Sequence, residues 1–234
     1  MRVVYAATRN LYPYLVPTLC SLLEHNDPEV VYIMAEDDRL PYELPDVCKV
    51  VNVSGQTWVK RDGPNKDSIF TYMAMCRACY CEIFPDESKL LQLDVDTIIC
   101  DSLQPLWDVD LTGKWFAACQ EYKGSYKPFG GTRYYNIGVA VFNLNEMRKD
   151  NVMQRVLDVV NTQKLSCTEQ DAFNMLGIEA NKIVDIPVRF NESRVTDTTK
   201  NPAIVHYAGV RNWYENRKMP RRNYLEPYLD YLNA

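Results

Sequence analysis

Histidine is scarce in this 234-residue chain, which has only His25 and His206. The cluster Cys76-x-x-Cys79-x-Cys81 therefore lacks the partners of a zinc centre. It has no second Cys pair and no nearby His, and it sits inside a helical pattern, so its thiols read as small buried residues of a core helix. Long apolar runs are absent as well. None approaches the ~18 residues that a membrane-spanning helix needs. The N-terminus, Met1-Arg2-Val3-Val4-Tyr5-Ala6-Ala7, lacks the apolar region of a secretory signal and reads as a first strand. There is no excess of positive charge; the net charge of −5 argues against nucleic acid as a default partner. No internal repeat, low-complexity tract or Gly/Ser-rich linker divides the chain. These features predict one cytoplasmic domain whose eight cysteines stay free thiols, with no structural disulfide.

What is present is an alternation of short apolar runs and amphipathic segments, in a chain that is 47% hydrophobic and 24% charged. That alternation is the mark of a layered α/β fold with a mostly parallel sheet. Strands are predicted at Val3–Ala7, Val30–Met34, Val50–Val53, the run before Asp94, Trp115–Cys119, Gly138–Asn143, Lys182–Ile186 and Ala203–Tyr207. Helices are predicted at Tyr14–Leu23, Ser68–Phe84, Asn145–Val160 and Glu169–Leu176 from apolar spacing of three and four. Residues Ser54–Lys66 and Glu121–Arg133 read as long loops.

The stretch Leu90-Leu91-Gln92-Leu93-Asp94-Val95-Asp96-Thr97-Ile98 carries the chemistry. An apolar strand ends in two carboxylates separated by one residue. Desolvating a charge costs several kcal/mol unless it is paired or binds metal. Two Asp at i and i+2 where a strand leaves the sheet can turn toward one point in the cleft beyond its carboxyl end. Oxygen ligands of this kind suit Mg²⁺ or Mn²⁺, ions that also grip diphosphates. His206, at the end of another apolar strand, is a candidate third ligand, and Gly209 after it lets backbone approach a phosphate.

With these residues the chain resembles the retaining glycosyltransferases of family 8, the group of lipooligosaccharide galactosyltransferases and glycogenin. The similarity runs in order over nearly the whole length. Ala6-Ala7-Thr8-Arg9-Asn10 with Pro13-Tyr14-Leu15 resembles the family's nucleotide-binding turn, and Arg77 an Arg that reaches the donor. Leu93-Asp94-Val95-Asp96-Thr97 is similar to its Asp-x-Asp strand, and Tyr135-Asn136-Ile137-Gly138-Val139 to its Asn-x-Gly strand. Glu169-Gln170-Asp171-Ala172-Phe173-Asn174 resembles its Asp-Gln-Asp-x-x-Asn helix start, and His206-x-x-Gly209 its metal and phosphate loop. There are departures. Thr8 stands where Asp often contacts the uracil, and Glu169 replaces Asp beside Gln170. The Lys of His-x-x-Gly-x-x-Lys is missing; Asn212 occupies its place, with Arg211 the nearest cation.

The resemblance implies a single Rossmann-like GT-A domain over residues 1–210, followed by a basic and aromatic tail over 211–234. It implies a metal-dependent, retaining transfer of glucose or galactose from a UDP-hexose to a hydroxyl acceptor such as a glycan or lipid-linked saccharide. Asp94, Asp96 and His206 would bind Mn²⁺ or Mg²⁺. Arg77, Asn136, Glu169 and Gln170 would act on the sugar, while Ala6, Ala7, Thr8, Asn10, Val95, Gly209 and Arg211 would hold the nucleotide. Gln170 carries an amide, a poor nucleophile, which favours same-face attack over a covalent intermediate. The tail, with its Arg, Lys, Trp and Tyr residues, suits either a bilayer surface or a lid over the diphosphate. Two rival functions are a non-catalytic nucleotide-sugar or glycan-binding module and a haloacid dehalogenase-like phosphatase. The second needs its Asp-x-Asp-x-Thr loop after the first strand, with Thr or Val where Ile98 stands here.

Overall fold

The structure, a computed structural model, describes residues 1–121, 133–193, 199–209, 214–216 and 221–233. Nine strands are formed among them: β1 (Arg2–Ala6), β2 (Val30–Ala35), β3 (Cys48–Asn52), β4 (Lys89–Leu93), β5 (Thr97–Ile99), β6 (Phe116–Gln120), β7 (Tyr135–Asn143), β8 (Ile183–Asp185) and β9 (Ile204–His206). Seven build the central sheet in the order β3-β2-β1-β4-β7-β6-β8. Four of its pairings are parallel; β7 alone runs antiparallel to both neighbours, β4 and β6. β5 and β9 form a separate antiparallel pair.

The sheet is covered on both faces, so its central strands are mostly apolar on both sides rather than alternating, with Gln92 and Asn136 as buried polar exceptions. β7 is buried from Tyr135 to Phe142. The period of two along each strand sorts side chains between two cores. Val3, Tyr5, Val31 and Ile33 face the core beneath α1 (Tyr12–His25). Val4 and Met34 face the other core, which also contains residues of α2 (Tyr72–Met75), α3 (Tyr80–Ile83), α5 (Leu144–Lys149), α6 (Val152–Thr162) and α7 (Thr168–Glu179). The short α4 (Gln104–Trp107) follows β5.

Two predicted helices are corrected. The run Ser68–Phe84 is not one helix. It starts at Tyr72 after an extended Thr71, and a 3₁₀ turn at Cys76–Cys79 separates α2 from α3. The Ser68 hydroxyl accepts the Phe70 amide and holds that stretch in a turn, which leaves Ile69 exposed. The run Asn145–Val160 divides into α5 and α6 at Asn151, whose φ of 51° breaks the helical path in a conformation that Asn tolerates.

At the C-terminus, α8 (Arg222–Leu225) leads into a 3₁₀ segment (Glu226–Asn233) that packs beside α1. Leu225 and Tyr228 are buried with Ile98, Val205 and Tyr207, and the Tyr228 hydroxyl donates to Glu24 at 2.5 Å. Tyr14 stacks on Tyr214 at 4.0 Å between ring centroids. All eight cysteines are free thiols.

Candidate active site

The carboxyl end of β4 opens into a cavity of about 340 Å³. Asp94 leaves that strand with its amide donating to the Gly138 carbonyl at 2.7 Å, so β7 fixes where the carboxylate starts. The Asp94 side chain is divided between two neighbourhoods. Its Oδ1 accepts from Gln92 Nε2 at 3.1 Å and pairs with Arg77 Nη1 at 3.1 Å. Its Oδ2 lies 3.8 Å from His206 Nε2. Asp96 Oδ1 lies 3.1 Å from that same nitrogen. His206 ends β9, and the pairing Thr97↔His206 brings it beside the residue that follows Asp96.

Ligand atoms of Asp94, Asp96 and His206 fall within 4.8 Å of one another. Burial would raise the Asp96 carboxyl, but the charge and hydrogen bond of His206 outweigh it and hold the group below its ordinary value. Burial also disfavours charged His206, yet Asp96 and then Asp94 hold its imidazolium above the ordinary value. The pocket therefore concentrates negative charge: Asp94, Asp96 and Glu169 stand against the guanidinium of Arg77. Two carboxylates and an imidazole are a donor set suited to Mn²⁺ or a similar divalent ion. Gly138 keeps the place open. A Cβ there would come within 2.4 Å of Asp94 Oδ2 and 2.5 Å of His206 Cε1. The residues present fit a divalent cation.

Arg77 is buried and bridges the metal set to α7, with Nε 3.3 Å from Glu169 Oε1. Burial raises the Glu169 carboxyl, and this outweighs the opposing effects of Arg77 and of the Thr168 hydroxyl, which donates to it at 2.5 Å. Thr168 itself has a φ of 45°, a strained conformation for a β-branched residue, at the turn that delivers Glu169. Asp171 secures the same turn by accepting the amides of Ser166 and Cys167. Asn174 locks α7 to β7 through both backbone groups of Tyr135. Gln170 Oε1 accepts the Ile137 amide at 3.0 Å and its Nε2 donates to the Tyr134 hydroxyl. Asn136 Nδ2 donates to Glu121 at 2.8 Å, while its Oδ1 accepts from Gly138 and Asn191.

The cavity thus gathers Asp94, Asp96, His206, Arg77, Asn136, Glu169, Gln170 and Gly209, the last at a φ of 74°. It does not include Ala6, Ala7, Thr8, Asn10 or Val95. The first four follow or end β1, β4's parallel neighbour, where the Thr8 hydroxyl donates to Asn10 Oδ1 at 2.6 Å. Val95 is turned into the core beneath α1. Arg211 lies outside the described residues. The cavity adds Glu121, Ser193, Cys167 and the exposed Ile69 and Phe70, none of which the sequence reading picked out. Glu121 could have been found by the signal that found Asp94, a carboxylate just past an apolar strand.

Comparison with known proteins shows the family and the fold. The model of the family described as glycosyl transferase family 8 matches residues 3–216. Glycosyltransferase GlyA of Streptococcus pneumoniae serotype 4 is 30% identical over 138 residues, 55% of this chain and 19% of GlyA. The galactosyltransferase LgtC, solved with donor and acceptor sugar analogues, superposes with a TM-score of 0.77 at 19% identity, covering all of this chain and 95% of LgtC. The bifunctional glycosyltransferase WbbM gives a TM-score of 0.77 at 15% identity over 98% of this chain and 49% of WbbM. The chain thus spans about half of one such relative and a fifth of another. The expected Rossmann-like GT-A domain is the fold observed.

Proposed function

The chain belongs to glycosyl transferase family 8, and from that premise we propose that it is a metal-dependent retaining hexosyltransferase. Its donor is a UDP-sugar carrying glucose or galactose, and its acceptor is a hydroxyl of a glycan or lipid-linked saccharide. The observation that carries this reading is the convergence of Asp94, Asp96 and His206 within 4.8 Å, on a cleft that also holds Arg77 and Glu169.

Asp94, Asp96 and His206 would hold Mn²⁺ or Mg²⁺. When bound, such an ion supplies Lewis-acid neutralisation of the leaving diphosphate. Arg77 adds fixed positive charge that needs no reorganisation during the reaction. Glu169 and Asn136 orient sugar hydroxyls. Gln170 faces the anomeric carbon but has its amide oxygen committed to the Ile137 N–H, which supports same-face attack over a covalent glycosyl-enzyme. Thr8, Asn10 and the backbone of Ala6 and Ala7 receive the nucleoside, and Val95, its side chain in the core, contributes only its backbone between the two aspartates. Gly209 and Arg211 serve the diphosphate. Residues 1–210 form the transferase domain in this reading. The tail over 211–234 faces the acceptor or a membrane surface, in a cytoplasmic setting. Among the described residues, no helix is long and apolar enough to cross a membrane.

The test is release of UDP from a panel of UDP-sugars with Mn²⁺, in the presence of saccharide acceptors. Turnover should stop in excess EDTA and in Asp96→Ala, with the circular dichroism of the variant unchanged. Full turnover in EDTA would remove the metal from the reading. Cleavage of a chromogenic phosphate ester without sugar-nucleotide turnover would replace transferase by phosphatase. Donor binding with no UDP release would replace it by a binding module.

A further inference from the structure

We propose that Asn191 is a positioning residue for the metal site: it holds the proton of His206 on Nδ1 and so presents Nε2 to the cation. Asn191 is neither in the cavity wall nor in any motif of the sequence. It is buried, in the loop after β8, with its side chain between His206 and Asn136. The inference rests on the metal reading given above.

One backbone group here has an unambiguous role. The Gly138 amide can only donate, and it donates to Asn136 Oδ1 at 2.9 Å, which fixes that atom as the oxygen. Asn191 approaches the same oxygen at 3.0 Å and must therefore offer its Nδ2. Its Oδ1 is then the atom 2.8 Å from His206 Nδ1. An amide oxygen can only accept, so Nδ1 carries a proton. The remaining ring nitrogen, Nε2, faces Asp96 Oδ1 at 3.1 Å and Asp94 Oδ2 at 3.8 Å. A divalent ion held by Asp94, Asp96 and His206 would find Nε2 as the free ring nitrogen, while the proton on Nδ1 stays with Asn191. A ligating histidine whose other N–H is held by an acceptor keeps its tautomer and ring orientation, and loss of such a partner typically costs about 10–100-fold in metal affinity. The chain of amides from Gly138 through Asn136 and Asn191 thus sets one nitrogen in β9 from a backbone donor in β7.

The experiment compares Asn191→Leu, which keeps similar bulk but no acceptor, with Asn191→Asp, which keeps the acceptor. Mn²⁺ binding is titrated by electron paramagnetic resonance in the presence of UDP. Asn191→Leu should bind Mn²⁺ roughly 10–100-fold more weakly. Asn191→Asp should recover most of that loss, whereas a simple packing defect would weaken the two variants alike. Unchanged Mn²⁺ affinity in Asn191→Leu, or equal loss in both, overturns the proposal. A second measurement needs no variant. With only two histidines in the chain, ¹⁵N-histidine labelling gives His206 one neighbour in the spectrum, His25. In the complex with Zn²⁺, a diamagnetic probe, His206 should show a proton on Nδ1 that exchanges slowly. A deprotonated Nδ1 there overturns the proposal even if Asn191→Leu fails to fold. Failure of the wild-type protein to bind either ion, with Nδ1 still protonated, would overturn the metal reading instead and leave the hydrogen-bond assignment supported.

Discussion

At the scale of single residues, the site is organised by what each atom has left to offer after its neighbours are served. Asp94 spends Oδ1 on Gln92 and Arg77, and only Oδ2 faces His206. Gln92 is itself fully buried and is held by the hydroxyl of Tyr80, so a polar chain runs from the core of the sheet to the first aspartate. Gly138 is the narrowest point. In Gly138→Ala the added methyl would crowd Asp94 Oδ2 and His206 Cε1, and overpacking of a filled site costs about 1–3 kcal/mol. Since about 1.4 kcal/mol is tenfold in affinity, Mn²⁺ binding by calorimetry should weaken roughly ten- to a hundredfold. Wild-type affinity in Gly138→Ala would mean that the ion sits elsewhere. Asp94, Asp96 and His206 were legible in the sequence because charge at the end of an apolar strand is anomalous and therefore informative. Asn191 and Cys167 were not, because a lone amide or thiol in a loop has no periodicity and no partner visible along the chain. Asn136 lies outside the predicted strand Gly138–Asn143 and was singled out only through the family resemblance, because its ties to Glu121 and Asn191 are long-range and appear only in the fold.

Secondary elements show the same division. β1, β2, β4 and β7 were readable from apolar runs because both sheet faces are covered, and no boundary moved by more than three residues. The helical run through Arg77 was harder. Met73, Met75, Cys76, Arg77, Ala78, Cys79 and Tyr80 are all buried, so no solvent face marks where the helix begins or where it tightens to 3₁₀. The break between α5 and α6 was equally hidden, yet it has a structural use. Asp150, at that break, accepts from Trp115 Nε1 at 2.6 Å and pairs with Lys182 at 2.9 Å, joining helix, β6 and β8. The hydrogen bond from Trp115 and the neighbouring Lys182 hold its carboxyl below the ordinary value. A carboxyl lowered on folding contributes stability above its unfolded value, near 3.9, and loses it as pH falls through the folded value. Urea midpoints at pH 7 and at pH 3 should therefore differ less in Asp150→Asn than in the wild type. An equal or larger difference would remove Asp150 from the account of acid sensitivity.

Over the whole molecule, the proposed metal set couples parts that the chain places far apart. Asp94 and Asp96 lie between β4 of the central sheet and β5 of the small one, whereas His206 arrives more than a hundred residues later on β9. β9 is backed in turn by the C-terminal segment, where Leu225 and Tyr228 pack on Val205 and Tyr207. Unfolding would scatter all three ligands, so an ion that binds the native site and not the unfolded chain stabilises the entire fold by mass action. At a free concentration about 100 times its dissociation constant the gain is about 2.7 kcal/mol. For a chain of this size 1 kcal/mol moves the melting temperature by about 2–4 °C, so saturating Mn²⁺ should raise it by roughly 5–11 °C. The quantity to compare is the shift on adding Mn²⁺, since Asp96→Ala also removes a charge and can move the metal-free value by itself. That shift should vanish in Asp96→Ala and in His206→Ala. An undiminished shift in both variants would show that Mn²⁺ stabilises the protein from another place, and the convergence of two distant chain segments on one ion would have to be abandoned.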